Sequence, residues 1–239
     1  MSVRALAHAS TLIAAASRAL AVAGIFDMHG HLSVRDGAVA HLNPHGASRI
    51  AVRPDEVAVV RIADGAQLEN TPPSETPIHL EIYRTRSDVG AVAHFHALYA
   101  TSLAVAGKPL VAAFNAGAPF GREVPVFDDP RLIRDEPSAR RLTDVLGNGR
   151  AALLRGHGAV VAAEDVPSAV ALSLQLEESA KRLWLAYAIG DPKPMSDDEL
   201  SAVGAGLREP RVVRKVWIDA LERARTAGAL SGVDVGSLL

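Results

Sequence analysis

Two short apolar runs constrain this chain more than anything else in it: Val89–Phe95, broken only by His94, and Ala151–Leu154. Neither alternates with polar residues, so each reads as a strand covered on both faces. Helical segments are expected at Ala97–Ala106, Pro137–Leu146, Val166–Ile189 and Pro210–Ala227. Helices flanking buried strands argue a layered α/β domain. Further strands are expected at Gly30–Arg35, Val57–Ile62 and Ala159–Ala162. Asn43-Pro44-His45-Gly46 and Ala63-Asp64-Gly65 read as turns. A helix should run from about Glu75 to Arg86, with Ser74 as its cap and Pro77 in its first turn. Residues 107–130 read as loops with short strands, Asp191–Asp198 as a loop, and the tail as mobile. No internal repeat or low-complexity linker interrupts residues 1–239, which are expected to form a single domain.

Composition narrows the chemistry. The chain has no cysteine, which excludes thiolate metal sites, disulfides and a cysteine nucleophile. Any bound metal must therefore be held by histidine, carboxylate and water. A net charge of -2 without a long basic run argues against a nucleic-acid partner. Residues 1–25 are Ala-rich and apolar, but Arg4, His8 and Arg18 break them below the roughly 18 residues of a membrane span. Such a start also fits a signal peptide. The competing expectation is an amphipathic helix with Leu6, Leu12, Ile13, Leu20 and Val22 inward, ended near Gly24. A cytoplasmic protein with no membrane partner is expected.

His94 and His96 sit two apart on a strand, so their imidazoles point the same way and can grip one divalent ion. Alone, the pair more readily describes two half-buried histidines bonded to carbonyls. His157 lies between Gly156 and Gly158 just after the run Ala151–Leu154, where a polar ring ends a buried strand. On its own that is also an ordinary turn. Glu75 opens a helix with His79 one turn later, and a carboxylate beside a metal serves as ligand, base or both. The same Glu75 would also complement a helix dipole. Of the remaining side chains, His8, His29, His41 and His45 carry no site argument beyond sequence proximity. Arg49 and Arg53 could bind an anion, and Trp184 is expected in the core.

Together, the segments from Ser74 to Tyr83, from Asp88 to His96 and from Leu154 to Gly158 resemble the signature of the class II aldolase/adducin family. The resemblance extends through Gly30–Arg35, the turn at Asn43 and the long helix after Asp165. It implies a three-layer α/β/α fold around a mostly antiparallel sheet, and a homotetramer with sites at subunit interfaces. It implies that His94, His96 and His157 hold a divalent metal ion (Zn, Mn, Fe or Co), with Glu75 as ligand or acid/base. Adducin-like assembly domains lack these residues, so an enzyme acting on a small molecule is expected.

The resemblance also bears on the reaction. The aldolases typically read Gly-Asn-x-Ser where this chain has Gly30-His31-Leu32-Ser33, and often carry two hydroxyl residues where it has Pro73-Ser74. Some use a tyrosine where it reads Phe114-Asn115. The Gly-His-x-Ser-Val-Arg version resembles members that decarboxylate hydroxylated aromatic acids such as dihydroxyphthalate. The expectation is therefore a metal-dependent carbon–carbon lyase, first a decarboxylase, second an aldolase or epimerase on a hydroxy-carbonyl or phosphorylated sugar. Glu75 is the first choice for the acid, with His31 or His79 next. Ser33, Arg35 and Ser74 are candidates for substrate binding, Arg35 through a bidentate contact to a second carboxylate.

Overall fold

Both apolar runs lie inside one eight-stranded sheet. The computed structural model describes residues 3–238, with side chains for residues 8–236 and 238. The strands are β1 (His31–Asp36), β2 (Val39–Leu42), β3 (Ala58–Arg61), β4 (Gln67–Glu69), β5 (Ala91–Phe95), β6 (Val126–Phe127), β7 (Ala151–Leu154) and β8 (Gly158–Ala163). Their order is β4-β3-β2-β1-β5-β8-β7-β6. Every pairing is antiparallel except β6 with β7. The helices are α1 (Val3–Val22), α2 (Thr76–Thr85), α3 (Leu98–Val105), α4 (Glu136–Leu146), α5 (Val166–Ile189), α6 (Asp197–Leu207) and α7 (Pro210–Thr226).

The period-two alternation of strands splits the core into two layers. Ala91, Ala93 and Phe95 of β5 join Leu32, Ala159 and Val161 under α1, α3, α5 and α7. Val92, Val160, Ala162 and Leu154 pack on the other face against α2 and α4. The expected α/β/α layering around a mostly antiparallel sheet is therefore present. Ile13 and Leu20 of α1 are fully buried, and Leu12 and Val22 pack at the rim of the same core. Leu6 lies outside the described side chains. Among the described residues no helix is long and apolar enough to cross a membrane.

Three elements went unread in the sequence. β2 follows a tight turn at Gly37, whose φ of +60° lets β1 fold straight back, and is only four residues long. β4 is a fully exposed edge, so it has no apolar pattern to betray it. The helix α6 buries only Gly204, yet its start carries a local signal: Ser196 and Glu199 form a capping box just beyond the two prolines. Ser74 is not the cap of α2. Glu75 occupies that position without a side-chain cap, Ser74 is exposed, and the Thr76 hydroxyl donates to the carbonyl of Pro73 instead. Trp184 is not in the core either; it is 48% exposed, near the outer end of α5, edge-on to Tyr99.

Candidate metal centre

The centre forms where β5 and β8 end side by side. Register pairs His94 with Val160 and Phe95 with Ala159, so the loop before β8 returns His157 to the end of β5. Two glycines make this return possible. Gly156 has a φ of +69°, the left-handed region that an L side chain avoids. At Gly158 a Cβ would lie 2.5 Å from the carbonyl of Phe95 and 3.1 Å from the ring of His96. The imidazoles of His94, His96 and His157 then stand with centroids 4.8–5.4 Å apart.

One nitrogen of two of these rings is committed outward. His94 Nδ1 donates to the carbonyl of Ala159 at 3.1 Å. His96 Nδ1 lies 2.8 Å from Asp27 Oδ2. Both contacts orient the ring and leave Nε2 free for the centre, the arrangement that ligating histidines need. The inward Nε2 atoms of His94, His96 and His157 are buried and have no hydrogen-bond partner among the described residues. One buried polar atom without a partner costs roughly 1–3 kcal/mol. Three converging ones fit a bound cation. The three residues bring ligand atoms within 4.8 Å of one another, and three neutral imidazoles suit zinc, manganese, iron or cobalt.

Glu75 faces this cluster from the start of α2. Its Oε1 accepts from the backbone N–H of Ile133 at 2.9 Å. Its Oε2 lies 3.5 Å from His157 Nε2 and 3.7 Å from His94 Nε2. Burial pushes this carboxyl up, but the imidazoles of His157 and His94 and the Ile133 N–H outweigh that and hold it down at about 2. It is therefore a carboxylate at neutral pH, able to serve as ligand or base. Burial works the other way on His94, lowering it to about 3 and keeping it neutral, as a ligand must be.

His31 and His79 are also brought to the centre, one behind the other. The ring of His31 stands 5.0 Å from that of His94, and its Nδ1 is 2.7 Å from His79 Nε2. His79 Nδ1 contacts Ser33 Oγ at 2.6 Å, and Ser33 Oγ contacts Tyr83 Oη at 2.7 Å. Ser33 is thus fully buried and bonded to His79 and Tyr83, on the side of His79 away from His31. Arg35 is not brought in. It lies four residues from His31, about 13 Å along the strand, and donates to the carbonyls of Tyr83 and Arg86 at the end of α2. Helix ends leave such carbonyls unpaired, so Arg35 does structural work there. Ser74 sits exposed beside Glu75 with no role visible in its contacts.

Arg49 is buried and bonds the carbonyls of Gly30, Pro44 and Ala47, and Arg53 pairs with Asp55 and Glu56, so neither offers a free anion site. Two residues at the centre escaped notice in the sequence. Asp27 carries no pattern of its own, and only the fold brings it to His96. Tyr83 had a signal, since it lies one turn after His79 on the same face of α2. His29, marked only by proximity, has its ring 5.9 Å from His96.

The comparisons with known proteins agree with this geometry. The description "Class II Aldolase and Adducin N-terminal domain" matches residues 11–184. A 5-methylthioribulose-1-phosphate/5-deoxyribulose-1-phosphate aldolase of Rhodospirillum rubrum is 29% identical over 175 residues, 73% of this chain and 79% of that protein. A 3,4-dihydroxyphthalate decarboxylase of Arthrobacter keyseri is 30% identical over 212 residues, 82% of this chain and 86% of its own. Among solved structures, an L-fuculose 1-phosphate aldolase at 26% identity superposes with a TM-score of 0.78, covering 84% of this chain and 97% of that one. With most of its length inside one family match, and with that family's fold, this chain belongs to the class II aldolase and adducin family.

Proposed function

We propose that this protein is a divalent-metal-dependent carbon–carbon lyase that decarboxylates a hydroxylated aromatic carboxylic or dicarboxylic acid. The observation that carries the choice of reaction is His31. Its ring occupies the centre beside His94, at the position where the aldolase pattern places asparagine. The tyrosines support the same choice. Tyr83 is buried against Ser33, Tyr99 packs on Trp184, and Tyr187 donates to the carbonyl of Pro109. Phe114 lies under the guanidinium of Arg182, centroid distance 4.1 Å. Within the chain, Tyr83 stands behind the centre, past Ser33 and His79, and none of the others contacts His94, His96 or His157 in the bonds described. The longer overlap with the decarboxylase of Arthrobacter keyseri points the same way.

His94, His96 and His157 would hold the ion. When bound, it supplies Lewis acidity to two neighbouring substrate oxygens, a hydroxyl and a carboxylate. Glu75 provides the proton chemistry. As a carboxylate held by the Ile133 N–H, it accepts the substrate's hydroxyl proton. As the carbon–carbon bond breaks and carbon dioxide leaves with neutral charge, the electron pair stays on the ring carbon, and Glu75 returns the proton there. The proton count is unchanged over the cycle.

Retro-aldol cleavage of a ketose phosphate is the second reading, favoured by the relatives in Rhodospirillum rubrum and among solved structures. Incubating manganese- and zinc-loaded protein with 3,4-dihydroxyphthalate and, separately, with a ketose 1-phosphate decides between them. Carbon dioxide from the acid with an intact ketose is expected; an intact acid with cleaved ketose overturns the decarboxylase.

We further infer a homotetramer with sites at subunit interfaces. Met28, Leu98 and Leu132 are 73%, 69% and 45% exposed. Each lies within two residues of a group at the centre: Asp27, His96 and Ile133. Exposed large apolar side chains gathered at a polar site suit cover by a second copy.

A further inference from the structure

We propose that the buried chain Tyr83–Ser33–His79 locks His31 as the neutral Nε2–H tautomer, so that His31 presents a hydrogen-bond donor to the centre and not a metal-ligating lone pair. The inference extends the lyase reading to a residue role that follows from hydrogen-bond direction alone.

The direction is set at the far end of the chain. The four residues are 0–3% exposed, so the protons of Tyr83, Ser33 and His79 must find acceptors along the chain, while the remaining proton of His31 faces the centre, where the Glu75 carboxylate lies nearby. The Tyr83 hydroxyl contacts Ser33 Oγ at 2.7 Å. Among the described residues no other hydrogen-bond acceptor contacts this hydroxyl, and the Val92 backbone N–H and the Arg35 guanidinium near the ring can only donate. Tyr83 therefore donates to Ser33. Ser33, with one proton of its own, satisfies it on the remaining partner, His79 Nδ1, at 2.6 Å. A neutral imidazole that accepts at Nδ1 carries its proton on Nε2. His79 thus donates from Nε2 to His31 Nδ1 across 2.7 Å. By the same rule His31 bears its proton on Nε2, its only remaining nitrogen.

The reverse direction would strand the Tyr83 proton among donors, at a cost of roughly 1–3 kcal/mol for a buried group left unpaired. A bias of that size populates one tautomer by about 5- to 150-fold.

Two consequences follow. His31, Glu75 and His94 can also bring ligand atoms within 4.8 Å, so they form an alternative metal-ligand group to His94, His96 and His157. A protonated Nε2 cannot ligate, which leaves the ion to the second group. His31 is instead a fixed, uncharged donor for a substrate oxygen on which negative charge grows, as in an oxyanion hole. Release of its Nε2 proton to a substrate, with reprotonation at Nδ1 along the chain, would end in a Tyr83 phenolate. Burial opposes that by pushing the phenol up, so the chain orients His31 without supplying protons. Tyr83, Ser33 and His79 are positioning residues.

Long-range 1H–15N spectra of the full-length, 15N-histidine-labelled, zinc-loaded protein read the tautomer of each ring, with His31→Gln used only to assign its signal. The expected result is an Nε2–H pattern for His31 and metal-shifted Nε2 signals for His94, His96 and His157. Tyr83→Phe should then release the bias, so that the His31 pattern moves toward a mixture of tautomers. Ser33→Ala, which breaks the same chain at another link, should do likewise if Tyr83→Phe does not fold. An Nδ1–H pattern or a zinc-shifted Nε2 at His31 in the native protein overturns the proposal. So does an unchanged, pure Nε2–H pattern in the folded variants. No substrate is present, so these results stand or fall separately from the decarboxylation assay.

Discussion

Asp27 shows how much a single side chain outside the motif can matter. Its carboxylate aims His96 from behind, and loss of such a partner typically costs about 10- to 100-fold in metal affinity. Asp27→Asn should therefore weaken zinc binding by roughly that factor while leaving one ion per chain at saturation, as read by competition against a chromophoric chelator. Replacing His96 with Ala removes a candidate ligand and should abolish stoichiometric metal in elemental analysis, whatever reaction the protein performs. Gly158→Ala tests the backbone. With a Cβ 2.5 Å from the Phe95 carbonyl, the end of β5 must shift, and both stability and metal affinity should fall. A variant with native affinity would show that His96 does not depend on this close approach.

At the level of elements, the site depends on how helices begin. Asp165 caps α5 by accepting from the backbone N–H of Ser168 at 2.8 Å. Asp165→Ala should cost about 1 kcal/mol in urea unfolding. The helix α5 covers β5 and β8, the two strands beside which the candidate ligands His94, His96 and His157 lie. The sequence motif around Glu75 announced α2 correctly but misread its first turn. The fold needs the Glu75 side chain turned inward to the Ile133 N–H, so the helix starts at Thr76 and Ser74 is left outside. Arg35 was misplaced for a similar reason. Alternation along β1 correctly puts it on the face of His31 and Ser33, but the strand carries it away from the centre and onto the end of α2.

Over the whole molecule, the buried histidines tie stability to pH. His79 and His94 are held neutral down to about 3, and His31 and His41 are also lowered, in each case chiefly by burial. The unfolded chain protonates its histidines near 6.5. Below that pH the unfolded state therefore binds more protons, so stability is fully present above about 6.5 and is lost as pH falls through the range down to about 3. Metal-free protein should lose up to about 1.4 kcal/mol per pH unit for each such group, measured by denaturant unfolding between pH 7 and 5. A flat profile would mean that these rings are charged or solvated when folded. Leu98→Asp places a charge on the exposed apolar rim of the centre. If the proposed tetramer forms over this rim, the variant should show a lower mass by light scattering than the native protein; an unchanged mass overturns an interface there.

The sequence by itself determined the layered fold through short-range rules, and the family resemblance of its motifs singled out His94, His96 and His157 as candidate ligands. Apolar runs must be covered, residues two apart share a strand face, and glycines mark where a backbone turns or closes in. Tertiary structure alone decided which groups stand behind those histidines. Asp27 reaches His96 across 69 positions, His31 meets His79 across 48, and Ser33 meets Tyr83 across 50. No local pattern encodes such pairs, since they exist only once β1, β5 and α2 are packed and each buried polar proton has to find its acceptor. That requirement underlies the donor role proposed for His31 and ties Ser33 to His79 and Tyr83, while Arg35 is bonded at the end of α2.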